Sequence, residues 1–197
     1  MWQRWTGIQN EAETELSDER LLAAVARGEE KAFLIVYRRR QSSVYRYALH
    51  LCGDADVAAE TVQETFMALL RDAGRLDAAR GTVLAWLFAV ARNQVLRQLR
   101  TRQRHLSLEE EDQFEPVASG CVLADLEQEQ LTGRLHELMA TLPAVYREVL
   151  VLCDMQELSY EQVAAIAGCP TGTVRSRLHR ARAMLAGKLR PLVRYSS

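Results

Sequence analysis

An all-α architecture of two small helical domains joined by an acidic linker is what this sequence predicts. Three observations carry that prediction. Gly and Pro are sparse, 10 and 4 in 197 residues, while nearly half the chain (48%) is apolar. Such a composition supplies packed cores and few helix breakers. Apolar residues recur at helical spacing in one stretch after another. Charge is segregated: the net charge of −1 conceals two arginine-rich segments with an acidic one between them.

Taken in order, residues 1–15 have no helical period and read as a tail. They lack the apolar core of a signal peptide. No apolar run approaches the ~20 residues of a membrane span, so a cytoplasmic protein without membrane insertion is expected. Ser17 caps a first helix, DERLLAAVARG, which Gly28 ends. A long helix follows from Glu29 to about Cys52, with Phe33, Tyr37, Val44, Ala48 and Leu51 near one face. Gly53 breaks it and Asp56 is expected to cap the next helix, in which Val62, Phe66 and Leu69 face a core. Glu60, Gln63 and Glu64 are left exposed on that helix. Thr82 caps a helix from Val83 to about Arg104, whose stripe is Leu84, Leu87, Ala91, Val95 and Leu99. Trp86, Arg92, Asn93, Arg97, Arg100 and Arg104 lie mostly off that stripe. One aromatic among cations suits unstacked bases, because a ring accepts a base face while guanidiniums hold phosphates. A core role for Trp86 is the plainer alternative.

The first domain thus spans 16–104 and the linker 105–130. From Leu106 to Gly133 there is no Lys or Arg, whereas Glu109, Glu110, Glu111, Asp112 and Glu115 crowd one end. Extended, the linker's roughly 25 residues reach about 80 Å. It can fold back and mask the basic surfaces on either side, or serve only as a soluble tether. The second domain, 131–194, opens with LTGRLHELMATL. Pro143 then reads as a first helical residue, and Leu135, Leu138, Leu142, Val145, Val149 and Leu152 as a hydrophobic base.

On that base sits the most specific stretch, LSYEQVAAIAGCPTGTVRSRLHRAR. Ser159 and Gln162 make a capping box, and Leu158 and Val163 a hydrophobic staple. Gly168 ends the helix and Cys169-Pro170 cannot continue it. Thr171 or Thr173 is expected to cap a second helix with Val174, Leu178, Ala181 and Leu185 on its apolar stripe. Gly172, Ser176, His179, Arg180 and Ala183 lie opposite, with Arg175, Arg177 and Arg182 on the shoulders. This is a helix-turn-helix pattern offering a basic, short-side-chain face to a major groove. No acidic residue follows Glu161. Arg175, Ser176, His179 and Arg180 are placed to reach base edges, and Arg177 and Arg182 to hold phosphates.

These motifs resemble bacterial RNA polymerase sigma factors of the extracytoplasmic-function (ECF) group. TVRSRLHRAR after LSYEQVAAIAG is similar to the group's C-terminal domain, which reads the −35 element through a helix that here carries Thr173 to Arg182. DERLLAAVARGEEKAF, AETVQETF and TVLAWLFAVARN resemble its N-terminal domain, in order and at normal spacing. The resemblance implies promoter DNA and the RNA polymerase core as partners, through the β′ clamp helices and the β flap, and an anti-sigma factor as a regulator. It implies core docking by Glu60, Gln63, Glu64 and Phe66, and −10 melting by Arg80, Trp86, Arg92, Asn93, Arg97 and Arg100. Ala59 stands where the group usually has an acidic residue, and Arg97 where Asp is common.

No P-loop, HExxH or nucleophile–base spacing is present, so no catalysis and no cofactor are expected. Cys52, Cys121, Cys153 and Cys169 show no CxxC spacing and read as reduced thiols with no metal. Two rival classes remain open at this point. One is a dimeric helix-turn-helix regulator that binds an operator unaided. The other is a thiol or metal sensor built on Cys153 and Cys169.

Overall fold

A computed structural model describes residues 16–76, 82–106, 135 and 137–193; every regular element among them is helical. The N-terminal unit begins with α1 (Asp18–Ala26), capped by Ser17, whose Oγ accepts the Arg20 N–H. Helix α2 (Glu30–Cys52) ends at Gly53 in the left-handed region, φ 72°. Helix α3 (Ala55–Asp72) runs into a short 3-10 turn, Ala73–Arg75, and α4 (Val83–Leu106) closes the unit. Helices α2, α3 and α4 pack on one another, with α1 laid against α2. Asp18 ties that pair together through Arg39 and Arg40. Val44, Ala48, Leu69, Leu87, Phe88, Ala91 and Val95 are fully buried.

The C-terminal unit holds a helical stretch at 137–140, α5 (Ala144–Leu150), a single π turn (Val151–Met155), α6 (Tyr160–Ala167) and α7 (Thr171–Val193). Its core is Met139, Leu142, Val149, Leu152, Val163, Val174, Leu178 and Ala181. The two units are in contact: α5 and the π turn pack on α2, and α6 packs on α4.

Four local expectations are corrected. Asp54, not Asp56, caps α3: its backbone is extended (φ −127°, ψ 121°) and its Oδ1 accepts the Val57 N–H at 2.9 Å. Gly53 ends α2 so abruptly that the next residue is already the cap, which leaves Asp56 in the first turn where its charge suits the helix dipole. Pro143 is the residue before α5 rather than its first (φ −54°, ψ 139°). Thr171 and Thr173 lie within α7. The Pro170 carbonyl receives the N–H groups of Thr173 and Val174 at 2.9 and 3.1 Å, so the helix starts directly after the proline. Val145 is 45% exposed and not part of the base, since it lies in the first turn of α5, a turn short of buried Val149. The linker masking expected of residues 109–115 lies outside the described residues.

Within the helix-turn-helix, Gly168 turns the chain with φ 64°, and its N–H bonds the Ala164 carbonyl. A Cβ there would meet nothing within 4 Å, so only backbone strain opposes a side chain. Gly168→Ala is expected to destabilise the C-terminal unit by about 1–2 kcal/mol, the usual left-handed penalty. Gly168→Asn should lose less, and urea midpoints of the two variants compare them.

Candidate nucleic-acid interface

Two cationic helical faces make up the candidate site. On α4, Trp86, Asn93, Arg97 and Arg100 follow i, i+7, i+11 and i+14, one stripe on a helix buried opposite by Leu87, Ala91 and Val95. Thr82 starts this helix by accepting the Ala85 N–H on Oγ1 at 3.2 Å. Asn93, Arg97 and Arg100 are exposed, and with Arg92, Leu96 and Thr101 they line an open groove of about 320 Å³. Its lining offers three guanidiniums, one amide and one apolar side chain, a set that suits phosphates and a base edge. Trp86, at the head of the stripe, is half-buried and packed against the core. Arg80 lies outside the described residues.

On α7, Val174, Leu178 and Ala181 are buried at 0–2% exposure, which points the opposite face outward. Arg175, Ser176, His179 and Arg180 are exposed there, with Thr173 and Arg177 half-buried on the shoulder. The arginines are steadied from outside the helix. Arg175 lies 5.9 Å over the Tyr160 ring, Arg180 Nη1 is 3.5 Å from Tyr146 Oη, and Arg177 Nη1 is 3.8 Å from Cys169 Sγ. Ser176 Oγ donates to the Thr173 carbonyl at 3.0 Å. Arg182 is engaged by a carboxylate in the free chain. Its Nε and Nη2 donate to Asp154 Oδ2 and Oδ1 at 2.9 and 2.6 Å, a bidentate pair. The Arg182 side chain is 57% exposed, so water screens the pair and it adds little to stability.

On α3, Glu60 and Gln63 are exposed and Glu64 half-buried. Phe66 is not on that surface. It is 2% exposed, edge-on to Tyr37 with ring centroids 4.8 Å apart, and supports the face from beneath. Met67 and Leu70, each 48% exposed, extend the same face and were missed. The signal for them was two large apolar side chains off the Val62, Phe66 and Leu69 stripe.

Also missed were Tyr47 and Glu148, which meet Arg92 at the seam between the units. Glu148 Oε1 accepts Tyr47 Oη at 3.0 Å and Arg92 Nε at 2.6 Å. A carboxylate four residues before Leu152, and so on the same inward side of the helix, was the available cue. Among the described residues no group of three or more His, Cys, Asp or Glu could hold a metal ion. Burial and the neighbouring Asp154 push the Cys153 thiol up to about 11, so at neutral pH it is the unreactive thiol form. No described helix is long and apolar enough to cross a membrane.

A helical protein with one cationic face on a helix-turn-helix and another on a separate helical unit belongs to the class of two-part DNA-binding proteins. The family profile described as Sigma-70 region 2 matches residues 36–105, and that of Sigma-70, region 4, matches residues 132–185. The RNA polymerase sigma-H factor of Pseudomonas aeruginosa is 31% identical over 92% of this chain and 98% of its own length. The ECF RNA polymerase sigma-E factor of Escherichia coli strain K12 is 32% identical over 91% and 98%. Among solved structures, the sigma factor RpoE in complex with the anti-sigma factor NepR from Bartonella quintana is similar with a TM-score of 0.70 at 28% identity, covering 81% of this chain and 98% of that one. CnrH in complex with the cytosolic domain of CnrY is similar at 0.65 and 25% identity, covering 88% and 97%. The chain belongs to the ECF group of the sigma-70 family and is a non-enzymatic, promoter-directing initiation factor.

Proposed function

We propose that the units at 16–104 and 131–194 divide the promoter between them, with α4 taking the −10 element and α7 the −35 element. The observation that carries this reading is the pairing of an amide with guanidiniums in the α4 groove, remote in sequence from a recognition helix whose outer face is exposed. In the groove, Arg92, Arg97 and Arg100 hold phosphates, Asn93 meets a base edge and Trp86 supports the melted edge; Arg80 is assigned to the same element by family likeness. On α7, Arg175, Ser176, His179 and Arg180 meet base edges, while Thr173, Arg177 and Arg182 hold phosphates. Glu60, Gln63 and Glu64, with Met67 and Leu70 beside them, form the face that meets the β′ clamp helices, and the C-terminal unit meets the β flap. An anti-sigma factor is a partner in the same reading, as for the Bartonella quintana sigma factor RpoE. The factor acts in the cytoplasm, where core polymerase and promoter are found.

Run-off transcription with bacterial core polymerase and footprinting of the holoenzyme test the assignment. Arg180→Ala is expected to weaken promoter binding by about 1–3 kcal/mol and to relax preference at one −35 base pair. A uniform loss over all sequences, with preference intact, would make Arg180 a phosphate contact instead.

A further inference from the structure

The seam between the two units is built around a charge. Tyr47, Arg92 and Glu148 come from α2, α4 and α5, and they converge on one carboxylate oxygen. Glu148 is 4% exposed and Tyr47 1%, while the Arg92 side chain keeps 24%. A carboxylate so far from water requires partners, and here it has both a cation and a phenol O–H. Burial, reinforced by the charge on Glu148, raises the Tyr47 pKa well above its ordinary value, so the phenol remains a donor. Two further hydrogen bonds cross the seam beside this cluster. Arg147 Nη2 donates to the Leu51 carbonyl at 3.3 Å, and Gln162 Nε2 to Thr82 Oγ1 at 3.0 Å.

Arg92 belongs to two places at once. It lines the α4 groove with Asn93, Arg97 and Arg100, and it is the cation that Glu148 holds. A carboxylate and a phosphate ask the same of a guanidinium, a charged oxygen at hydrogen-bond distance. We propose that Glu148 is an internal competitor for the phosphate site at Arg92, and that the Tyr47–Glu148–Arg92 cluster latches the C-terminal unit onto α2 and α4 in the free chain. The proposal rests on the reading of the α4 groove as a DNA site. Closure keeps one groove cation occupied, and separation of the units releases it.

The energetics suit a reversible device. A buried ion pair gains in Coulomb energy roughly what it loses in desolvation, so the closed state is favoured only modestly. A partner that binds the separated units better than the closed pair shifts the population by its differential affinity. Core polymerase and promoter, which engage the two units at separate places in the proposed function, have that property. Removing one member of the cluster acts in the same direction without a partner, because Arg92 then loses its carboxylate or Glu148 its phenol donor.

Small-angle X-ray scattering of the free full-length chain tests the latch, with helicity monitored by circular dichroism. Glu148→Gln and Tyr47→Phe remove the charge and the phenol O–H with little change in volume. Glu148→Gln is expected to shift the closed–open equilibrium about tenfold or more toward open and to raise the radius of gyration; Tyr47→Phe should shift it less in the same sense. A short fluorescent single-stranded oligodeoxynucleotide should bind Glu148→Gln several-fold more tightly than wild type at low salt. Wild-type radii for both variants at wild-type helicity would overturn the latch. Larger radii with unchanged oligonucleotide affinity would overturn the competition at Arg92. Promoter-dependent initiation by the wild-type holoenzyme reads the proposed function separately, because it requires neither variant. If Glu148→Gln does not fold, Tyr47→Phe decides the latch by its radius.

Discussion

Holoenzymes carrying Asn93→Ala or Trp86→Ala are expected to protect the −35 side of a promoter normally and to lose permanganate reactivity near −10. Stacking a base on an aromatic ring is worth about 1–3 kcal/mol, so loss of the Trp86 surface should lower the open-complex equilibrium by roughly 5- to 150-fold. Asn93 is exposed and makes no contribution to the core, so its truncation should leave thermal stability unchanged while melting falls. Trp86 is half-buried, and its replacement removes packing as well as a stacking surface. Trp86→Phe separates the two: it retains a ring and should restore most of the melting. Unchanged permanganate reactivity in both alanine variants would reduce these residues to packing and surface.

The largest loss of stability is expected at Phe88. Its side chain is fully buried in α4 and edge-on to Tyr47, with ring centroids 5.0 Å apart. Phe88→Ala should destabilise the N-terminal unit by about 3–5 kcal/mol, against a total stability of about 5–15 kcal/mol for a domain. Chemical denaturation followed by circular dichroism measures it. Leu34→Ala, at a site 38% exposed, serves as the comparison and should change the midpoint little. A small effect at Phe88 would mean that the core refills the space by shifting α2 against α4.

Much of this fold was legible because helical signals are local. Ser159 and Gln162 announced their capping box by spacing alone, and both halves of it are formed, at 3.3 and 2.9 Å. Gly28, Gly53 and Gly168 each adopt the positive φ that their positions after apolar runs suggested. Asp56 was expected to cap α3 where Asp54 does, because the position of the cap depends on how sharply the preceding helix ends, which spacing does not show. The π turn after Leu150 left no mark either, since one extra residue in a turn shifts the period too little to read in so short a helix. At the interface, the outer faces of α4 and α7 followed from periodicity and charge. Which arginines were already engaged did not. Asp154 lies 28 residues from Arg182, and Glu148 lies 56 from Arg92, so those pairs are products of tertiary packing.

Gln162 couples two requirements that selection would otherwise see separately. Its Oε1 accepts the Ser159 N–H and completes the start of α6, while its Nε2 donates to Thr82 Oγ1 at the start of α4. Glu serves equally well at the third position of a capping box, but it has no N–H to offer Thr82. Gln162→Glu would therefore be nearly silent in the C-terminal unit alone and visible only in the whole chain. One amide makes the tolerance of a helix cap in one unit depend on a threonine in the other. A lineage that loses Thr82 is thereby freed to drift between Gln and Glu at 162, and one that keeps it is not.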